Sequence, residues 1–184
     1  SFELTQLLSW SAKNNISTRG IEGLLKRDVS GKTVLTRAIL SGGVHFGVPG
    51  TSPEEVLKNI VQLVVLPDAF DREELKKLFI IREGSGTTAI GDGIAVPHLK
   101  DAGVFAPVAG LFFLNNTVDF GAVDRKPVKL MIMLLSPSPK DHLKIFARLA
   151  YCLDALGLKN SLKKENTAEK ILLDIFIAES RVPM

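Results

Sequence analysis

The chain has a single cysteine, Cys152, in 184 residues. That excludes an intramolecular disulfide and any cysteine-based metal cluster. It has no run of about 18 apolar residues, so no transmembrane helix is expected. The opening Ser1-Phe2-Glu3-Leu4 lacks the basic-then-apolar pattern of a secretory signal. A large charge excess is also missing. The 23 basic and 20 acidic residues leave a net +3, which permits an acidic protein partner but does not point to nucleic acid in this fragment. A soluble cytoplasmic protein without membrane insertion is the expectation. Because the chain starts at Ser1 rather than Met, an upstream portion is expected to be absent from it. The three histidines, His45, His98 and His142, do not share the short helical spacing of a zinc site, so no metal is expected. No Gly-x-Ser-x-Gly elbow of a hydrolase is found either.

The sequence does have enough apolar residues for one substantial core, at 46% of the chain. Residues 1–43 read as a short helical N-terminal segment. Leu4, Leu7, Leu8 and Ala12 share a helical face, a turn falls at Asp28 to Gly31, and a short helix over Thr33 to Leu40 is stopped by Gly42-Gly43. The stretch from Gly42 to Gly50 reads as a connector. A helix follows, capped by Thr51 or Ser52, with Pro53 first, Glu54 and Glu55 at its positive end and Val56, Ile60, Leu63 and Val64 as its stripe. Asp71 opens another helix, running to about Ile81. Two continuous apolar runs, Val108–Leu114 and Val128–Leu135, suit strands covered on both faces. Ser138 and Pro139 start a helix whose predicted apolar face is Leu143, Phe146, Leu149, Ala150 and Leu153, and which Gly157 ends. A last helix is predicted over Ala168 to Ala178. The fold class expected is α/β, with a central mixed β-sheet flanked by helices.

The Gly-rich middle resembles two nucleotide motifs and fits neither. Gly84-Ser-Gly86-Thr-Thr-Ala89 has the spacing of a dinucleotide loop, but a helix precedes it and Ile90-Gly-Asp-Gly93 follows where a helix should open. Gly86 to Gly91 has P-loop spacing, but Asp92-Gly93 stands where Lys-Ser/Thr is required.

The whole stretch from Gly84 to Lys100 contains Gly91-Asp-Gly-Ile-Ala-Val-Pro-His98, and Arg82 stands sixteen residues before that histidine. In these residues the chain resembles the fructose/mannitol-type IIA domains of the bacterial phosphotransferase system, most of all the nitrogen-regulatory IIA proteins. The likeness runs from about Gly43 to Ala178 and includes Val118 to Val128 and Ser136 to Leu143. It implies the mannitol/nitrogen-regulatory IIA-like fold over residues 44–184. It also implies a phosphocarrier that accepts a phosphoryl group on His98 through Nε2, with Arg82 and His142 stabilising that group. The implied donor is an HPr-like phosphocarrier, and the implied acceptor a IIB component or a regulatory target. No cofactor is implied, because the phosphoryl group is carried covalently. No IIB or IIC region follows in this chain, which favours a nitrogen-regulatory role over dedicated sugar uptake.

The chemistry agrees with the resemblance. A neutral imidazole is a good nucleophile near pH 7, and phosphoryl transfer asks mainly for positioning and positive charge. Arg82 offers a forked donor, and Thr87, Thr88 and the glycine-rich amides are candidate further donors. A second reading is a regulatory binding module that senses the phosphorylation state with little onward transfer. A third is a IIA-like sensor that is never phosphorylated, suggested by the bulky Leu99 where the family commonly has Gly. His45 is read as a loop or packing residue, Cys152 as buried and inert, and Lys163-Lys164 as a solvated pair. Phe2, Leu7, Leu8 and Trp10 resemble the closing helix of an excisionase-like DNA-binding domain, with the DNA-reading part upstream.

Overall fold

A computed structural model describes residues 33–100, 102–164 and 167–182. The expectations for residues 1–32, including the excisionase-like resemblance, lie outside the described residues. The elements are α1 (Val34–Gly42), β1 (Val44–Val48), α2 (Pro53–Leu63), α3 (Arg72–Gly84), β2 (Ala89–Gly91), β3 (Ile94–Ala95), β4 (His98–Lys100), β5 (Val108–Val118), β6 (Val128–Ser136), α4 (Pro139–Asp154), α5 (Leu158–Leu162) and α6 (Ala168–Ser180).

The strands form one mixed sheet in the order β1-β5-β6-β3-β2, and β4 continues beside β6 beyond β3. β5 and β6 are antiparallel, whereas β1 runs parallel to β5 and both β3 and β4 run parallel to β6. Side chains alternate across a strand, and this splits the two long apolar runs between two cores. Ala109, Leu111 and Phe113 of β5, with Leu130, Ile132 and Leu134 of β6, pack with α1, α4, α5 and α6. Phe112, Leu114 and Val118, with Met131, Met133 and Leu135, pack with α2 and α3. The expected α/β architecture, with helices on both faces of the sheet, is therefore present.

Local chemistry explains the helix starts. Ser52, Asp71, Ser138 and Thr167 each accept a bond from the third residue onward, capping α2, α3, α4 and α6. The start of α1 is capped from a distance. The buried Glu179 of α6 accepts from the amides of Leu35 (2.7 Å) and Thr36 (2.8 Å) and from the Thr36 hydroxyl (2.8 Å). Arg148 of α4 lies 3.5 Å from the same carboxylate. At the other end of α1, Gly42 lies so close to β5 that a Cβ would come within 2.1 Å of the Ala109 carbonyl oxygen.

Several elements depart from the sequence reading. The Gly42–Gly50 connector contains the edge strand β1. Its buried ends, Val44 and Val48, are only two residues in an otherwise glycine-rich stretch, too short for an alternation to register. The short helix α5, with Leu158 and Leu162 buried, was not expected. Leu143 is 73% exposed and Ala150 is also on the surface. The buried stripe of α4 is Ile145, Leu149, Cys152 and Leu153, because the helix sits rotated to bring His142 and Phe146 over the end of the sheet. Leu63 is likewise exposed, with Leu57 and Val61 buried in the stripe of α2 instead.

Candidate functional site

Three chain segments meet at the end of β6. Asp92-Gly93 makes the tight turn from β2 to β3, and both residues have positive φ, at 56° and 75°, as a two-residue hairpin turn demands. The chain then runs along β6, and the Pro97 carbonyl accepts from the Leu134 amide at 2.9 Å. This sets His98 opposite Leu134 and Lys100 opposite Ser136. Arg82 comes from the last turn of α3, and His142 from the start of α4, one turn after the Ser138 cap.

The structure brings all three predicted site residues together. The Nδ1 of His98 is 2.8 Å from the Val96 carbonyl oxygen. A carbonyl can only accept, so Nδ1 carries the proton and Nε2 has a free lone pair. The Arg82 Nη2 is 3.4 Å from that Nε2, and the Arg82 Nη1 donates to the Gly86 carbonyl at 2.9 Å. The rings of His98 and His142 lie 5.2 Å apart at an angle of 30°. Phe146 packs its ring 5.3 Å from that of His98 and 5.6 Å from that of His142. All three site residues are half-buried, neither sealed nor fully in solvent.

Burial and nearby positive charge favour the neutral form of both rings. Burial lowers the pKa of His98 below its ordinary value. The nearby Arg82 charge adds to this, while the Val96 bond and Glu83 oppose it. Burial also lowers that of His142, helped by His98 and Lys100. A half-buried imidazole beside a fixed guanidinium has the lone pair a nucleophile needs, in surroundings that favour an anion.

Some expected donors are engaged elsewhere. The Thr88 amide and hydroxyl donate to Glu83, at 2.9 and 2.6 Å, and the Thr87 hydroxyl donates to the Phe120 carbonyl. Sequence reasoning missed Glu83. It ties the Gly-Thr stretch to α3, and the Thr88 carbonyl in turn holds the Val96 amide at 2.9 Å, one residue group away from the bond that orients His98. At the start of α4, the Asp141 and His142 amides are taken by the Ser138 hydroxyl and carbonyl. Leu99 packs against the α2/α3 cluster. His45 stacks on Phe112 at 4.8 Å, away from the site, as a packing residue on β1. Cys152 is buried in the α4 core with its thiol pushed up to about 11, mainly by burial. Lys163 is not simply solvated, because its ammonium lies 3.5 Å from Asp92.

A half-buried histidine at a strand end, beside an arginine and next to the ends of two helices, is an arrangement suited to holding a small anionic group. The chain belongs to the EIIA 2 family of the phosphoenolpyruvate-dependent sugar phosphotransferase system, whose sequence pattern matches residues 38–176. Within that system it is a phosphocarrier or regulatory component. It is 34% identical over 148 residues to a nitrogen regulatory protein of Pseudomonas aeruginosa, covering 77% of this chain and 96% of that one. Its fold is similar to that of nitrogen regulatory protein IIA-Ntr from Neisseria meningitidis, with a TM-score of 0.69 and 23% identity over 78% of this chain and 99% of that one. It is also similar in fold to Escherichia coli enzyme IIAMTL, solved in complex with phosphorylated enzyme IIBMTL. There the TM-score is 0.57 and the identity 19%, over 73% of this chain and 94% of that one. Among the described residues no helix is long and apolar enough to cross a membrane.

Proposed function

We propose that His98 is the phosphoryl acceptor of this family member, taking the group on Nε2 from a phosphorylated HPr-like protein. The observation that carries this reading is the pair of contacts on one ring: Nδ1–H donated to the Val96 carbonyl and Nε2 beside the Arg82 guanidinium. The Nε2 lone pair attacks phosphorus as the donor's P–N bond breaks, and the donor imidazole leaves with that electron pair. With the donor ring protonated at its other nitrogen, it leaves as neutral imidazole and no further proton has to move. Positive charge that develops on the His98 ring is spread through Nδ1–H onto a carbonyl that is already in place. Arg82 and His142 then stabilise the phosphoryl oxygens. No metal, nucleotide or other cofactor takes part, because the group travels as a phosphohistidine.

The surroundings favour a protein partner. Ile81 and Leu143, the neighbours in sequence of Arg82 and His142, are 67% and 73% exposed. Apolar groups around a charged site suit a protein surface better than a small polar substrate. The group passes on to a IIB component or serves as a regulatory signal. The likeness to the Pseudomonas aeruginosa nitrogen regulatory protein supports the second use.

The test is incubation with phosphoenolpyruvate, enzyme I and an HPr-type carrier, followed by mass measurement. The expected product is one acid-labile phosphoryl group, absent in His98→Ala. Onward transfer to a IIB cysteine separates the carrier from the purely regulatory form. A phosphoryl group that persists in His98→Ala would overturn the assignment.

A further inference from the structure

Ser136 is the last residue of β6 and is fully buried, at the end of a strand that is apolar from Leu130 to Leu135. A buried hydroxyl is costly unless it is hydrogen-bonded. Among the described residues the Ser136 hydroxyl makes one such contact, 3.3 Å to His142 Nδ1. Among the described residues no other acceptor lies within reach of the hydroxyl hydrogen, so donation to Nδ1 would satisfy it, and that direction requires Nδ1 to be unprotonated. A neutral imidazole has one N–H, which then sits on Nε2. The neutral state of His142 is supported by its burial and by the nearby Lys100 charge.

His98 has the reverse arrangement, with its proton on Nδ1 and its lone pair on Nε2. With Ser136 as the donor, the two rings, 5.2 Å apart, differ in polarity: one presents a lone pair and the other an N–H. The placement follows from the fold. Ser136 lies two residues beyond Leu134, which pairs with His98, on the same face of β6. Ser138 and Pro139 then start α4 so that His142 returns over that strand end.

We propose that Ser136 is a positioning residue: it holds His142 in the Nε2–H tautomer and thereby makes His142 a hydrogen-bond donor to the phosphoryl group on His98. The donor role rests on the phosphocarrier reading above. In the other tautomer His142 would turn a lone pair towards the anion, which repels phosphoryl oxygens and offers a competing nucleophile.

The test combines ring spectra with transfer kinetics. Long-range proton–nitrogen NMR of the unphosphorylated protein reports which nitrogen of each histidine bears the proton. The expected result is Nε2–H for His142 in the wild type, a mixture in Ser136→Ala, and retention in Ser136→Thr, which keeps the hydroxyl. Phosphoryl acceptance from an HPr-type donor should slow roughly five-fold in Ser136→Ala, as for one neutral hydrogen bond. In a His142→Ala background the same substitution should add no further loss, whereas a merely structural role would cost as much in either background. Nδ1–H on His142 in the wild type, an unchanged tautomer in Ser136→Ala, or additive losses would each overturn the proposal. Absence of any phosphoryl group on His98 would sink the carrier reading and the donor role with it. The ring spectra would still decide whether Ser136 sets the tautomer.

Discussion

Arg82 is the residue whose removal should change the chemistry most without touching the nucleophile. Its guanidinium is fixed at one end by the Gly86 carbonyl, 2.9 Å from Nη1, and its other arm stands 3.4 Å from His98 Nε2. The fork is therefore already aimed where charge builds up, and no reorganisation is needed during transfer. Losing one such preorganised donor typically costs on the order of 10²–10³ in rate. Arg82→Ala should slow phosphoryl acceptance by that amount. Arg82→Lys should fall between, because an ammonium keeps the charge but cannot hold Gly86 and reach Nε2 together. A second readout comes from the same variant. Arg82 is one of the causes that lower the pKa of His98, so Arg82→Ala should move it upwards. Single-turnover transfer from a radiolabelled phospho-HPr-type donor measures the first effect, and NMR titration of the His98 ring the second. Wild-type acceptance in Arg82→Ala, or a His98 pKa that stays or falls, would refute the idea that this guanidinium faces the reacting nitrogen.

Other outcomes follow from groups outside the site. Glu179→Ala should destabilise the fold by about 3 kcal/mol, because it leaves the buried Leu35 and Thr36 amides without their acceptor and removes the carboxylate beside Arg148. Urea unfolding with an unchanged m-value would measure it, and a loss no larger than that of a surface substitution would count against the capping role. Burial lowers the pKa of His45, His98 and His142 from 6.5. As pH falls through about 6.5 the unfolded chain takes up protons before the folded one does, so stability is complete above that pH and declines below it. Chemical denaturation between neutral and mildly acidic pH should show this slope, reduced in His45→Phe. Cys152, with its thiol at about 11 and no exposed surface, should resist a thiol reagent in the native protein and react quickly in urea. Fast native labelling would contradict the buried placement.

What the sequence determined by itself was local or strongly patterned. The caps Ser52, Asp71 and Ser138 act within three residues, and the two long apolar runs admit little besides strands covered on both sides. The Pro97-His98 motif with Arg82 pointed to the site through its likeness to a family, since spacing alone does not bring a helix end to a strand sixteen residues later. Only the tertiary structure decided what depends on rotation and register. It turned α4 so that Leu143 faces solvent and His142 faces His98, and it gave Thr87 and Thr88 to partners other than an anion. It also joined Glu179 to a helix more than 140 residues earlier and set Ser136 against His142. Such contacts depend on how whole elements pack, and the burial that makes a lone hydroxyl or carboxylate decisive exists only once the chain has folded.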